Sequence, residues 1–499
     1  MLLDLQDWAE LERRALGDEF RDEGPVWSMG EEGLERRENL LRLDRRLAGT
    51  ADRLRARLAG GERPGPGELE LYEDLVLFLL YERCSERFLE MAVRSADDPA
   101  AARRVPFYDE FAGQAREYLG VTGRSEATIA ELPHVFAIFF QIRRAFHHIF
   151  AYIVGQSLPA ARLRAAVWQS VFTHDMRRYR RGLFRQMGEI TTLISGPSGS
   201  GKELVARAVG LARYVPFDER TRSFAAEGAG AFHALDLSAL SPTLIESELF
   251  GHRKGAFTGA LADHAGWLES CPPGGSVFLD EIGELSGAIQ VKLLRVLETR
   301  SFHRLGETAP RRFQGKVIVA TNRDLPAEIA AGRFRSDLYY RLCSDVVATP
   351  SLRERLEAAP EELRRLLLHI AKQVAGEEVA EDLASEVEAY VGANLGPDYP
   401  WPGNIRELAQ CVRNVMVRKE YRPARLERKA GRERFLAEAA AGSLTAGELL
   451  GRYVTLVYGR TGSYEETARR LDLDRRTVKA RVDPGFLAEL GMAAGAGQE

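Results

Sequence analysis

The sequence predicts a multidomain chain: a helical N-terminal region, an α/β core on a parallel sheet, a helical block after it, and a small all-α module near the C-terminal end. Three observations carry that expectation. Up to about residue 165 the apolar residues recur at helical spacing. From about 166 to 350, short β-rich runs (190–195, 232–237, 276–279 and 316–320) alternate with helical stretches, the pattern of a parallel sheet that binds ligands at its carboxyl ends. The first run leads straight into a glycine-rich string ending in lysine.

The bulk numbers narrow the classes. A chain of 499 residues has room for several cores, and 45% apolar with 28% charged residues is ordinary globular composition. A net charge of −4 gives no global basic field, so any nucleic-acid contact must be local. The four cysteines are far apart and form no C-x-x-C pair, which fits reduced thiols rather than a zinc site. The first residues carry acids and no apolar segment of signal-peptide type. Residues 135–154 are the most apolar stretch, but Arg143, Arg144, His147 and His148 interrupt them, so a buried or partner-facing helix is expected, not a membrane span. The expectation is a cytoplasmic protein with no membrane partner.

In the N-terminal region, 1–165, Leu40, Leu43, Leu47, Leu54 and Leu58 share one helical face. That face suits a helical bundle or a short coiled coil whose seam Thr50 interrupts. A Gly/Pro-rich break at 60–67 ends the helix. No strand–helix series with an acidic pocket occurs, so a phosphoacceptor domain is not expected.

The α/β segment, 166–350, carries the chemistry. Gly196-Pro197-Ser198-Gly199-Ser200-Gly201-Lys202 fits G-x-x-x-x-G-K between a strand and a helix. Its glycines let backbone N–H groups wrap phosphates, and Lys202 reaches the terminal ones. Glu203 follows, where a hydroxyl ligand to magnesium is more usual. Residues 274–281 form an apolar strand ending in Asp280 and Glu281, a carboxylate to hold Mg2+ directly or through water and a base for the attacking water. The run 316–320 ends in Ala320-Thr321-Asn322-Arg323, which sets a polar amide beside a phosphate. Between the string 196–202 and the strand ending in Asp280 and Glu281 lies Gly255-Ala256-Phe257-Thr258-Gly259-Ala260, small residues around one aromatic and one hydroxyl, suited to a flexible loop with a sticky tip or to a plain glycine turn.

In this order, with Glu246 to Lys254 leading into the glycine hexapeptide, the motifs resemble the AAA+ core of the sigma-54-dependent transcription activators over about 166–420. The resemblance implies an α/β AAA+ P-loop core with a helical lid at 351–420, ATP and Mg2+ as cofactors, and a homo-oligomeric ring expected to be a hexamer. It implies that Asn322 senses the terminal phosphate and that Arg335 and Arg341, in the segment 332–342, are fingers reaching nucleotide on a neighbouring subunit. Outside that setting, the two arginines read as surface ion pairs. Trp401-Pro402-Gly403-Asn404-Ile405-Arg406-Glu407-Leu408 resembles the lid motif, with Arg406 aimed at the phosphates and Pro402 at a helix start. Residues 255–260 would grip sigma-54 in RNA polymerase holoenzyme during hydrolysis. The family also carries glutamate at position 203.

Departures bear on control. The family places asparagine where Asp236 stands, as a switch that restrains the catalytic glutamate. A second carboxylate near Glu281 would disfavour ionisation of both. The lid's lead-in at 349–355 keeps only its L-R-E-R core, and residues 218–230 look like a polar surface insertion.

After a charged connector at 421–442, residues 443–486 have helix-turn-helix spacing and resemble the Fis-type module that ends such activators. Asp474 can cap a second helix offering Arg475, Arg476, Thr477, Lys479 and Arg481 to enhancer-like double-stranded DNA. Asp472 replaces the frequent turn glycine and tolerates a left-handed conformation. Read alone, such a module is more often a solvated helix pair. Residues 487–499 are expected as a flexible tail. The expected protein is thus a bacterial, nucleoid-associated sigma-54 activator that hydrolyses ATP. The alternatives are a DNA-binding regulator whose AAA+ core does not act on sigma-54, and a AAA+ machine for another protein target.

Overall fold

The computed structural model describes residues 8–24, 37–97, 105–122, 129–225, 231–423, 435–436, 438–440 and 442–490. The chain forms two compact units, Met1–Lys419 and Glu420–Glu499.

The sheet of the first unit has five parallel strands: β1 (Thr192–Ser195), β2 (Phe232–Asp236), β3 (Ser276–Asp280), β4 (Lys316–Thr321) and β5 (Asp345–Ala348). Their order is β2-β3-β4-β1-β5. The first four are the expected runs with small shifts at their ends. The fifth was not anticipated. It reads Asp-Val-Val-Ala with only Val347 fully buried, too short an apolar run to stand out beside Pro350. Because β1 lies inside the sheet, the string after Ser195 leaves it flanked by the tips of β4 and β5.

The helix Lys202–Leu211 follows that string and packs under the long helix Leu132–Tyr152. Leu132–Tyr152 is the interrupted apolar stretch, and it is buried in protein. Its Gln141 donates to Ala212 O (2.9 Å) and accepts from the Tyr179 hydroxyl (2.8 Å). Arg144 donates to Arg213 O, and burial drives the His148 imidazole down to about 3. Among the described residues no helix is long and apolar enough to cross a membrane.

The helices Glu38–Ala59, Pro66–Asp97, Tyr108–Leu119 and Leu132–Tyr152 enclose an aromatic core that includes Phe88, Phe111 and Phe136. Leu47, Leu54 and Leu58 pack against it, so the leucine stripe is a bundle face and not a coiled-coil seam. Two rings of this core come from far along the chain. The supposed surface insertion begins as a β-hairpin pairing Phe217–Asp218 with Ser223–Phe224. Both its phenylalanines are buried, Phe217 against Tyr108 (ring centroids 4.6 Å) and Phe224 against Phe140 (4.4 Å). The polar residues between them hid an apolar pair facing one side. The rest of the insertion, 226–230, lies outside the described residues.

The helical block after the sheet comprises Leu352–Ala358, Glu362–Ala375, Glu377–Asn394 and Asn404–Arg418. Its first helix opens on a capping box between Ser351 and Glu354. A buried ion pair, Arg355 with Glu362, grips the bend at 153–157. Arg355 donates to Val154 O, the Glu362 carboxylate accepts the N–H groups of Gln156 (2.9 Å) and Ser157, and Arg164 donates to Gly155 O (2.7 Å). The helix Leu158–Phe172 runs unbroken through the expected boundary at 165.

The second unit packs Ala446–Thr461, Tyr464–Leu471, Arg475–Arg481 and Pro484–Glu489. Val454, Ala468 and Val478 form its centre, bordered by Leu471, Leu473 and Val482. Phe435, from the expected connector, joins Phe486 and Leu456 in a second cluster, and Leu487, placed by the sequence in the tail, is buried. Apolar side chains at both margins extend this unit beyond 443–486. Residues 424–434 of the connector and 491–499 of the tail lie outside the described residues.

Candidate nucleotide site and its loop

The string 196–202 leaves β1 as an open loop. Gly196, Gly199 and Gly201 hold φ values of +148°, +75° and +95°, in the region where side chains are strained. A Cβ on Gly196 would collide with Thr349, and one on Gly199 with Gly403 O, so glycine is required twice over. Lys202 is 7% exposed; its Nζ donates to Gly196 O (3.2 Å) and Pro197 O (3.4 Å) and stands 3.8 Å from Glu281 Oε1. A buried ammonium facing loop carbonyls and a carboxylate, inside a glycine cradle at a helix N-terminus, fits a nucleotide phosphate chain.

The tips of β3 and β4 face this loop. Asp280 ends β3, and burial is the main force pushing its carboxyl above the usual range. The Glu281 N–H (3.0 Å) and Lys202 oppose the rise, while the charges of Glu281 and Asp236 add to it. Glu281 sits at φ +54°, a strained conformation for a non-glycine residue at a strand tip. Its carboxylate accepts the Asn322 N–H (3.2 Å). Lys202, Asp280, Glu281 and Asn322 therefore converge at the carboxyl end of the sheet.

Asp236 is paired in register with Asp280. It accepts from Ser238 N (2.9 Å) and Ser238 Oγ (2.7 Å), capping the short turn Leu237–Ala239. Its charge adds to the rise of the Asp280 carboxyl. Glu203 lies on the exposed side of its helix, paired with Arg207 (2.9 Å).

The lid side meets the loop through Arg406, whose Nη1 donates to Ser198 Oγ (3.0 Å) and whose N–H lies 3.4 Å from Gly199 O. Pro402 falls in the turn before the helix, which starts at Asn404. The segment 401–404 is held by Glu407, whose carboxylate accepts the Tyr399 hydroxyl (2.6 Å) and the Gly403 N–H (2.7 Å). Asn404 and Glu407 stood in the lid motif and Thr349 in its lead-in, but sequence reading assigned none of the three a role. Their only signal was that each is a polar residue in a stretch that must be buried for the lid to close on the sheet. Arg335 pairs with Asp337 (2.6 Å), and Arg341 donates to Leu297 O (2.8 Å). Among the described residues neither arginine reaches this chain's own phosphate loop.

Residues 173–347 match the family described as Sigma-54 interaction domain. Hydrogenase transcriptional regulatory protein HoxA of Bradyrhizobium diazoefficiens is 44% identical over 231 residues, 46% of this chain and 43% of that protein. Nif-specific regulatory protein of Azotobacter vinelandii is 41% identical over 46% of this chain and 40% of its own. Residues 173–347 are a sigma-54 interaction domain. Transcriptional regulatory protein ZraR of Klebsiella oxytoca is 37% identical over 302 residues, 59% of this chain and 63% of that protein. The chain spans less than half the length of the first two relatives. Among solved structures, NtrX from Brucella abortus in complex with ATP is 24% identical, with a TM-score of 0.40 and coverage of 76% of each chain.

Within residues 173–347 the hexapeptide 255–260 lies in the excursion between β2 and β3. It is folded down rather than extended. Gly255 N–H donates to Ala260 O (2.9 Å), and Ala260 N–H to Phe257 O (3.0 Å). Phe257 is half-buried with its ring 4.9 Å from that of His252, Thr258 is exposed, and the bare apolar side chain is Leu261, 84% exposed. The loop's base docks on the connection between the antiparallel segments Ser301–Phe302 and Arg311–Arg312 through Arg253 N–H to Leu305 O (3.0 Å), and Asp263 ties it further through the Lys254 N–H (2.8 Å) and Arg253.

In the second unit Asp474 caps the helix Arg475–Arg481, accepting the N–H groups of Arg476 (2.8 Å) and Thr477 (2.9 Å), and Asp472 takes the left-handed conformation (φ +52°). The Thr477 hydroxyl is also spent on Asp474, and Arg475 pairs with Glu465 (3.2 Å). Arg476, Lys479 and Arg481 are exposed. Among the described residues no group of three or more His, Cys, Asp or Glu side chains is gathered to hold a metal. A magnesium ion shared with phosphate oxygens needs only one or two carboxylates, and Asp280 is placed to be one.

Proposed function

We propose that this chain is a sigma-54-dependent transcriptional activator that hydrolyses ATP and spends it on the loop 255–260. The observation that carries the reading is the loop's position. It leaves β2 at Asp236, the register partner of Asp280, so its outgoing stem starts beside the carboxylates, and its return enters β3 at Ser276.

Gly196 to Lys202 hold the phosphate chain, with Lys202 countering its charge. Asp280 holds Mg2+, which when bound neutralises charge on the phosphates. Glu281 takes the proton of the attacking water, and the Asn322 N–H keeps its carboxylate in place. Arg406 closes from the lid. Arg335 and Arg341 serve the site of the next subunit in a homo-oligomeric ring, expected to be a hexamer. Arg476, Lys479 and Arg481 read enhancer-like DNA, and Phe257 and Thr258 engage sigma-54 in RNA polymerase holoenzyme. The protein works in the cytoplasm on the nucleoid.

The deciding measurement is ATP-dependent open-complex formation by purified sigma-54 holoenzyme with the wild type and Thr258→Ala. Activity in the wild type and its loss in Thr258→Ala, with ATPase retained, is the expected result. Equal activity, or none from either protein, overturns the reading and leaves the regulator whose core does not act on sigma-54. For the chemistry, Glu281→Gln should cut steady-state turnover by about 100-fold or more while fluorescent nucleotide still binds. Turnover near wild type would move the base elsewhere.

A further inference from the structure

Two side chains outside the phosphate-loop motif fasten that loop to the root of the lid. Asn404 is 4% exposed and sits at φ +52°. Its Oδ1 accepts the Leu352 N–H (2.8 Å) at the start of the lid's first helix, while its Nδ2 donates to Ser198 O (2.9 Å). One amide thus spans the lid's first helix, its last helix and the loop. Thr349, also 4% exposed, is the first residue after β5. Its N–H donates to Ser195 O (2.8 Å), and its hydroxyl lies 2.7 Å from Ser200 Oγ and 3.2 Å from Ser195 O. Ser200 Oγ is in turn 2.8 Å from Pro197 O. Each hydroxyl has one proton, so the chain runs from Thr349 through Ser200 to Pro197 O, or from Ser200 through Thr349 to Ser195 O. Either way it ends on a backbone carbonyl at the loop's start.

The consequence follows from the peptide plane. In a trans peptide the C=O of one residue and the N–H of the next point in opposite directions. Drawing Ser198 O toward Asn404 therefore turns the Gly199 N–H away from the lid side chain. Drawing Pro197 O toward Ser200 does the same for the Ser198 N–H. These amides are ones a phosphate would use.

We propose that Asn404 and Thr349 are positioning residues for nucleotide, aiming the amides of the phosphate loop from the lid root without touching the ligand. This rests on the reading of 196–202 as a nucleotide site. Loss of either contact leaves the loop able to bind but with its amides unaimed, so affinity falls more than turnover at saturation.

The test uses the full-length protein with a fluorescent ADP analogue for Kd and steady-state ATPase for KM and kcat. Thr349→Val keeps shape and removes the hydroxyl; Asn404→Asp keeps the acceptor for Leu352 and removes the donor to Ser198. Each should raise Kd and KM by about 3- to 10-fold, the range of one lost hydrogen bond, with a smaller change in kcat, and Thr349→Ser should restore both constants. Thermal melting identifies a variant that fails to fold, and if Asn404→Asp is one, the Thr349 pair decides alone. Kd and KM for Thr349→Val within 1.5-fold of wild type (about 0.2 kcal/mol, too little for a lost bond), or a fall in kcat at unchanged Kd, would overturn the proposal. Wild-type protein that binds no nucleotide would instead sink the reading beneath it.

Discussion

At the residue scale, Asp236 makes a sharp expectation. Its carboxylate is held by Ser238, yet its charge still raises Asp280, whose carboxyl is already lifted by burial. If Asp280 must be ionised to hold magnesium, ATPase activity falls on the acid side as that carboxyl takes up a proton. Asp236→Asn removes one of the charges that favour the protonated form. The acid limb of kcat/KM against pH should therefore move to lower pH. An unchanged limb, or one moved to higher pH, would separate Asp236 from the carboxylates. The motif residues of this site were legible as an ordered set, because Gly, Lys, Asp and Glu at these spacings and in this order have few other uses. Asn404 and Thr349 were not, because a buried amide or hydroxyl announces itself only through partners far away in the chain. Those partners are Ser198 for Asn404 and Ser200 for Thr349.

At the element scale, strands with a continuous apolar run were readable, and β5 was not, because an edge strand buries too little to leave a pattern. The hairpin at 217–224 was misjudged for a related reason. Its exposed turn is polar, and the two phenylalanines that matter are spaced across it rather than along one run. Phe217 is 8% exposed and contacts Tyr108, Phe136 and Phe224. Phe217→Ala should destabilise the first unit by about 3–5 kcal/mol, as for large-to-small changes in a packed core. Urea unfolding of the full chain measures this, and a loss under about 1 kcal/mol would mean the hairpin is only laid on the surface.

At the scale of the whole molecule, the helical N-terminal region and the activator core share their interior. The hairpin enters the bundle's aromatic core, Arg222 O accepts the Val105 N–H (2.8 Å), and the Arg355–Glu362 pair grips the bend at 153–157. Sequence reading placed a boundary near 165, since the motifs start after it, but motifs mark where chemistry begins and not where packing ends. A chain lacking residues 1–152 would expose Phe217, Phe224 and the face of Lys202–Leu211 that Leu132–Tyr152 covers. It should accumulate as insoluble protein or melt well below the intact chain, by thermal shift and sedimentation. A soluble fragment with an unchanged melting temperature would show the two regions to be separable after all.

That shared interior also decides how such a protein can be recombined. A contiguous N-terminal segment moved onto another activator core would arrive without two of its own core rings, and the recipient would offer no pocket for its bend. The portable piece is discontinuous in sequence: the helices with the hairpin at 217–224, and a lid carrying Arg355 and Glu362 to receive them.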